Sequence, residues 1–120
     1  MNTSTIVLGA SPNPARYAYL AVRSLKLHGH EAFPVGIKAG QIDDTAIATD
    51  RPALKGIDTI SLYLNPDHQR DWYSYILSIH PRRIIFNPGT ENEELEKMAA
   101  AHGIQTISAC TLVMLSTGQY

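Results

Sequence analysis

The segment Gly9-Ala10-Ser11-Pro12-Asn13-Pro14-Ala15-Arg16-Tyr17 carries residue types that can hold an anion. It follows directly on the apolar run Thr5-Ile6-Val7-Leu8. A glycine straight after a strand lets the backbone turn sharply and come close to a ligand. Ser11 adds a hydroxyl, and the helix expected from about Ala15 offers free N–H groups to phosphate oxygens. Arg16 falls in the first helical turn, where the macrodipole prefers an acid. A bound anion would account for a cation there, and a guanidinium suits bidentate phosphate contact. The plain alternative is an ordinary strand-to-helix turn with a solvated arginine, a common feature of α/β domains. The loop matches neither the G-x-G-x-x-G dinucleotide pattern nor a Walker A loop.

Two further segments, Tyr63-Leu64-Asn65-Pro66 and Asn87-Pro88-Gly89-Thr90, also follow apolar runs. The runs are Thr59–Leu64, which overlaps the first of these segments, and Arg83–Phe86; both read as strands, as does Ala32–Val35. Pro34 suits a strand that ends nearby. Helical periodicity follows each loop. Tyr17, Leu20, Ala21, Ser24, Leu25 and His28 share one face, and Gly29 marks its stop. Asp67 is the expected cap of a helix burying Trp72, Tyr75, Ile76 and Ile79, which Pro81 ends. Thr90, with Glu93 as capping-box partner, is expected to open a helix whose inner face is Leu95, Met98, Ala99 and His102. Ile104–Ile107 is the last strand, and Thr111–Leu115 a closing helical turn. Residues 36–58 hold no sustained period; a short edge strand near Ile42 and a short helical turn are expected there.

Alternating strands and helices imply an α/β fold. The expected form is a Rossmann-like, three-layer domain with a mainly parallel sheet of five to six strands, occupying residues 1–120 as one domain. The first strand lies centrally, with Ala32–Val35 on one side and Thr59–Leu64 on the other. The crevice between the first strand and Thr59–Leu64 is the topological switch point, where ligands bind at the carboxyl ends of strands. NAD binders usually place an acid after the second strand to hold the ribose. Here Pro34-Val35-Gly36-Ile37-Lys38 has no acid and one lysine. A cation there fits a phosphorylated ribose, as in coenzyme A or NADP, although most lysines simply face solvent.

Composition narrows the classes. Ten basic and eleven acidic residues leave a formal charge of −1, which argues against a broad nucleic-acid surface. No apolar run reaches membrane-spanning length. Met1-Asn2-Thr3-Ser4 lacks the charge and apolar stretch of a signal peptide, so the cytoplasm is the expected location. Cys110 is the single cysteine and follows an apolar strand, where a cysteine is usually a small buried hydrophobe. A mixed disulfide with a coenzyme thiol is the sharper alternative. His28 and His30 flank a glycine, but no third ligand stands nearby, so no metal site is expected. No residue pairs Glu91, Glu93 or Glu94 with an acid or nucleophile, so catalysis is not expected. Trp72 and Tyr75 suit the core or a homodimer contact.

The chain resembles the small single-domain coenzyme A-binding proteins of bacteria, which share their fold with the nucleotide-binding domain of the succinyl-CoA ligase α subunit. Four stretches carry the resemblance, in family order: the Gly9–Tyr17 loop, Gly29-His30-Glu31 leading into Phe33-Pro34-Val35, Asn87-Pro88-Gly89-Thr90-Glu91-Asn92-Glu93-Glu94, and Ala109-Cys110. The resemblance implies coenzyme A as the ligand, with Gly9, Ala10, Ser11, Asn13, Arg16 and Tyr17 at the pyrophosphate loop. It implies Pro34, Val35 and Lys38 on the adenosine side. Tyr63, Leu64, Asn65 and Pro66 would border the nucleotide, and Asn87, Pro88 and Gly89 would lie nearer the thiol arm. Gly36-Ile37 stands where family members often carry Asn-Pro. The chain lacks the extra domain in which the ligase carries its phosphohistidine, so ligase activity is not implied. NADP is the less favoured ligand, and an NAD(P)-dependent enzyme or a ligand-free interaction protein are the competing readings.

Overall fold

The structure, a computed structural model, describes residues 3–120; Met1 and Asn2, part of the N-terminal reading, lie outside them. Four-residue apolar runs are too short for helices and become strands. They are β1 (Thr5–Leu8), β2 (Ala32–Val35), β5 (Thr59–Leu62) and β6 (Arg83–Phe86), joined by the more exposed β7 (Gln105–Ser108). All five form one parallel sheet in the order β2-β1-β5-β6-β7. β1 is next to β2 on one side and β5 on the other, so the chain reverses its direction of travel at the β1/β5 boundary.

The pleat sends alternate residues to opposite faces. Ile6, Leu8, Ile60, Leu62, Ile84 and Phe86 join a core with Ile76, Leu95 and Ala99. That face is covered by α2 (Pro66–Gln69), a 3-10 turn (Arg70–Trp72), α3 (Tyr73–Ile79) and α4 (Glu93–Ala101). Val7 points the other way, into a core with Ala18, Val22, Leu25 and Leu115, covered by α1 (Tyr17–Leu27) and α5 (Thr111–Ser116). Trp72 and Tyr75 are buried, stacked edge to face, in the first core.

Several expectations are corrected. Residues 36–58 contain no helical turn but a hairpin of β3 (Gln41–Ile42) and β4 (Thr45–Ala46), turning at Asp43 with φ 55°. Ile42 and Ile47 are buried in the same core as α1, while Asp43 and Asp44 pair with Arg23 and Lys26 on that helix. The buried face of α1 is Ala18, Ala21, Val22 and Leu25, so the expected stripe is displaced. Tyr17 and Leu20 are exposed, and so is His28, whose ring reaches back to the Ser24 carbonyl. Asn65, not Asp67, caps the helix after β5, its Oδ1 accepting from the His68 N–H. Asn92, not Thr90, caps α4 by accepting from the Leu95 N–H. The first cap lies two residues before the expected position and the second two residues after it. His102 is exposed rather than on the inner face of α4.

Asp58 joins β5 to β6 at the end of the sheet remote from the loops. Its carboxylate accepts from Arg82 Nε (2.6 Å), Arg82 Nη2 (3.1 Å) and Thr59 Oγ1 (2.6 Å). Burial pushes this carboxyl up, but the hydrogen bonds from Arg82 and Thr59 and the charges of Arg82 and Arg83 outweigh it and hold it below the ordinary range. A depressed carboxyl stabilises the fold above its unfolded pKa, and that contribution is lost as pH falls through the folded value. Urea unfolding should therefore show stability dropping below about pH 4. Asp58→Asn should cost about 1–2 kcal/mol at pH 7, discounted because Arg82 is largely exposed. The variant should also lose less than the parent between pH 5 and pH 3; parallel losses would remove Asp58 from the acid transition.

Candidate functional site

The loop after β1 is held by hydrogen bonds from the chain itself. Gly9 N–H (2.9 Å) and Ala10 N–H (3.1 Å) both donate to the Val35 carbonyl at the end of β2. Gly9 has φ +96°, a left-handed region that glycine tolerates, and a side chain there would press on the Tyr63–Leu64 backbone. Gly36 passes so close that an added Cβ would lie 2.5 Å from the Ala10 carbonyl oxygen. Ser11 Oγ accepts from Asn13 N–H (3.1 Å), and Asn13 Oδ1 accepts from Ala15 N–H (3.0 Å). These local bonds lead the chain into α1, whose cap residue, Arg16, makes no side-chain cap hydrogen bond. The first-turn N–H groups of α1 have no intrahelical acceptor, as at any helix start.

These features open onto a cleft of about 490 Å3 at the β1/β5 switch point. Gly9, Ala10, Ser11, Arg16, Tyr17, Lys38, Tyr63, Asn65 and Pro88 border it, as does Leu64. Ala18, Ile37, His68 and Thr90 join them, although the sequence reading gave none of the four a binding role. Ile37 is exposed beside Lys38, and no local sequence signal marks it, since single surface apolar residues are common. No aspartate or glutamate borders the cleft, while Arg16 and Lys38 do. Among the described residues neither cation forms an ion pair within the chain. The electrostatic preference is therefore for an anion.

Other residues named from sequence stand elsewhere. Val35 is fully buried, and Pro34 is also buried; both serve through backbone carbonyls, Pro34 accepting from Ala48 N–H. Asn13 and Gly89 are exposed outside the cleft lining, and Pro66 sits in the first turn of α2. Asn87 is turned inward, 1% exposed. Its Nδ2 donates to Ser61 Oγ and the Leu62 carbonyl (both 3.0 Å), and its Oδ1 accepts from Thr111 N–H (2.8 Å). Gln69, also fully buried, donates to the Leu64 and Thr90 carbonyls and so ties together the two loops that wall the cleft. Cys110 is half-exposed rather than buried. Its neighbour across the loops, Tyr63, has a buried hydroxyl without a hydrogen-bond partner. No group of three or more His, Cys, Asp or Glu side chains is placed to hold a metal among the described residues. No helix among them is long and apolar enough to cross a membrane.

Strand order and the cleft's position put this chain in the Rossmann-like α/β class, whose ligands bind at the switch point. The chain belongs to the CoA binding domain family, whose model matches residues 3–116. A crystal structure of an uncharacterized protein is 52% identical, with TM-score 0.97, covering 100% of this chain and 99% of that one. A hypothetical protein from Pyrococcus horikoshii OT3 is 20% identical with TM-score 0.87, covering 97% of this chain and 83% of that one. A dinucleotide forming acetyl-coenzyme A synthetase from Ca. Korarchaeum cryptofilum, solved with phosphate and ADP, is 19% identical with TM-score 0.70. The match covers 90% of this chain but 26% of the synthetase, and it shows a shared fold. Comparison with curated proteins gave no match.

Proposed function

We propose that the cleft binds the phosphate-bearing nucleotide of coenzyme A, or of one of its thioesters, without catalysing a reaction on it. The observation that carries this reading is the acid-free cleft with Arg16 and Lys38 on its rim, opening at a glycine turn and the start of α1. Helix N–H groups and a guanidinium suit a pyrophosphate. Lys38, on the loop after β2, suits a ribose phosphate. Membership of the CoA binding domain family supports coenzyme A over other phosphorylated nucleotides. The binding role rests on what borders the cleft: one histidine, His68, and neither an acid to orient it nor a thiol.

The test is thermal shift with coenzyme A, acetyl-CoA, NAD, NADP and ADP, because a ligand that binds only the native state raises its stability. Coenzyme A should raise the midpoint, and NAD should not. A response to NADP without one to coenzyme A would overturn the assignment. Arg16→Ala should weaken coenzyme A about tenfold by titration calorimetry, the loss of one charge-assisted contact. Its unliganded melting point should stay put, because Arg16 is exposed and caps nothing with its side chain. Unchanged affinity would take Arg16 out of the site.

A further inference from the structure

A second pocket, of about 410 Å3, opens beside the cleft. Tyr17, Tyr63 and Pro88 border both, so the two are neighbouring spaces divided by shared side chains. Asn87, Cys110, Leu112 and Val113 complete its wall. No charged side chain borders it. The polar side chains of its lining residues are the Asn87 amide, the Cys110 thiol and the two phenols. The Asn87 amide is already committed to Ser61, Leu62 and Thr111. Tyr63 Oη is buried beside the Ser61 and Thr111 hydroxyls, which bond to each other at 2.7 Å, and itself makes no hydrogen bond of ordinary geometry. Burial is the main cause that pushes this phenol up to about 12, so it stays a protonated donor at any physiological pH. Val113, from α5, is 55% exposed although it is a large apolar residue on this wall.

We infer that this pocket is an acyl chamber, and that the preferred ligand is a coenzyme A thioester with a short or medium apolar acyl chain rather than the free coenzyme. This rests on the nucleotide reading of the adjoining cleft. The occupant follows from continuity: a molecule anchored by its phosphates at Arg16 and Lys38 meets, past Tyr17 and Tyr63, a chamber that takes only uncharged apolar material. The volume lies within the range of small-molecule sites. Free coenzyme A would put a thiol against this wall and leave most of its apolar surface uncovered.

The test compares coenzyme A with its acetyl, butyryl and hexanoyl thioesters by titration calorimetry, on the parent and on Val113→Glu. Val113 lies outside the nucleotide cleft, and its exposure lets a carboxylate be introduced without unfolding α5. For the parent, affinity should rise about two- to fourfold per methylene buried, so hexanoyl-CoA binds at least tenfold tighter than coenzyme A. Val113→Glu should bring hexanoyl-CoA down to the affinity of free coenzyme A. Alkylation of Cys110 by iodoacetamide, followed by mass spectrometry, should be slowed more by hexanoyl-CoA than by coenzyme A.

Equal affinities for coenzyme A and all thioesters would overturn the acyl chamber while leaving the nucleotide site standing. Failure of every ligand would instead remove the nucleotide site, and the chamber with it. A chain-length gain that survives Val113→Glu and leaves Cys110 alkylation unprotected would place the acyl group elsewhere and overturn the inference. So would equal affinities together with a dimer, seen by sedimentation, that Val113→Glu dissociates; that result would assign the pocket to a second copy of the chain.

Discussion

Gly36→Ala should abolish the coenzyme-induced thermal shift and lower the unliganded melting point by about 4–12 °C. The added methyl would stand 2.5 Å from the Ala10 carbonyl oxygen and 3.3 Å from its nitrogen. Both are backbone atoms, so no flexible side chain can yield. Either Gly36 or Ala10 must move. Ala10 and Gly9 hang on the Val35 carbonyl by the two hydrogen bonds that set the loop against β2, and movement of either strand end weakens them. Overpacking of this kind costs about 1–3 kcal/mol, and for a chain of this size each kcal/mol moves the melting point by about 4 °C. The displaced loop is the floor of the cleft, so affinity should fall further than stability. Gly29→Ala is the control. Gly29 has φ +83° with nothing within 4 Å of an added Cβ, so that variant carries only the left-handed backbone cost of about 1 kcal/mol. It should bind normally. Equal coenzyme affinity in the parent and Gly36→Ala would show that the close approach at Ala10 does not shape the site.

Asn87→Leu should destabilise the chain by about 3–5 kcal/mol, the largest single-residue effect expected. The amide serves three elements at once: it bonds β5 through Ser61 and the Leu62 carbonyl, and it caps α5 through Thr111 N–H. Cys110, the residue before α5, supplies no side-chain cap of its own. Leucine would leave a buried carbonyl and a buried N–H without partners, at about 1–3 kcal/mol each. Urea unfolding at pH 7 reads this directly; a loss under 1 kcal/mol would mean that these groups find other partners. Asn87→Asp refines the test by pH. A carboxylate can still accept from Thr111 N–H, but it cannot donate to the Leu62 carbonyl. The introduced carboxyl is then held above its unfolded pKa. Its deficit should be small below about pH 4, where the protonated group can donate, and should grow as pH rises through the folded value. A deficit independent of pH would contradict the assigned donor.

Local chemistry made the strands and their order of appearance readable. Thr5–Leu8, Ala32–Val35 and Arg83–Phe86 are apolar runs of four closed by Gly9, Gly36 or Asn87-Pro88, and each became a strand with those bounds. The stop at Gly29 was equally local: it has positive φ, and its N–H bonds the Lys26 carbonyl. Helix starts were less readable, because several residues in Asn65-Pro66-Asp67 and Thr90-Glu91-Asn92-Glu93 can cap. The choice between them depends on where the preceding strand releases the chain. The α1 face was misjudged for a related reason. Tyr17 fits an apolar stripe, yet in the fold it stands at the rim where cleft and second pocket meet. The hairpin at Gln41–Ala46 left no period to read, since two-residue strands are shorter than any sequence repeat.

Along the Gly9–Arg16 loop, local order alone carries a strand-to-helix turn in which a glycine, a hydroxyl, a helix start and a cation are adjacent. The packed fold is what gathers distant groups around it. It brought Lys38, His68 and Thr90 to the same cleft, kept acids away, and committed the Asn87 amide to Ser61, Leu62 and Thr111. It also set the Tyr63 phenol and Leu112 and Val113 of α5 side by side in an apolar chamber. The difference is one of range. Turn chemistry and periodicity act over a few residues, whereas parallel pairing brings together loops far apart in the chain through register that no local pattern records.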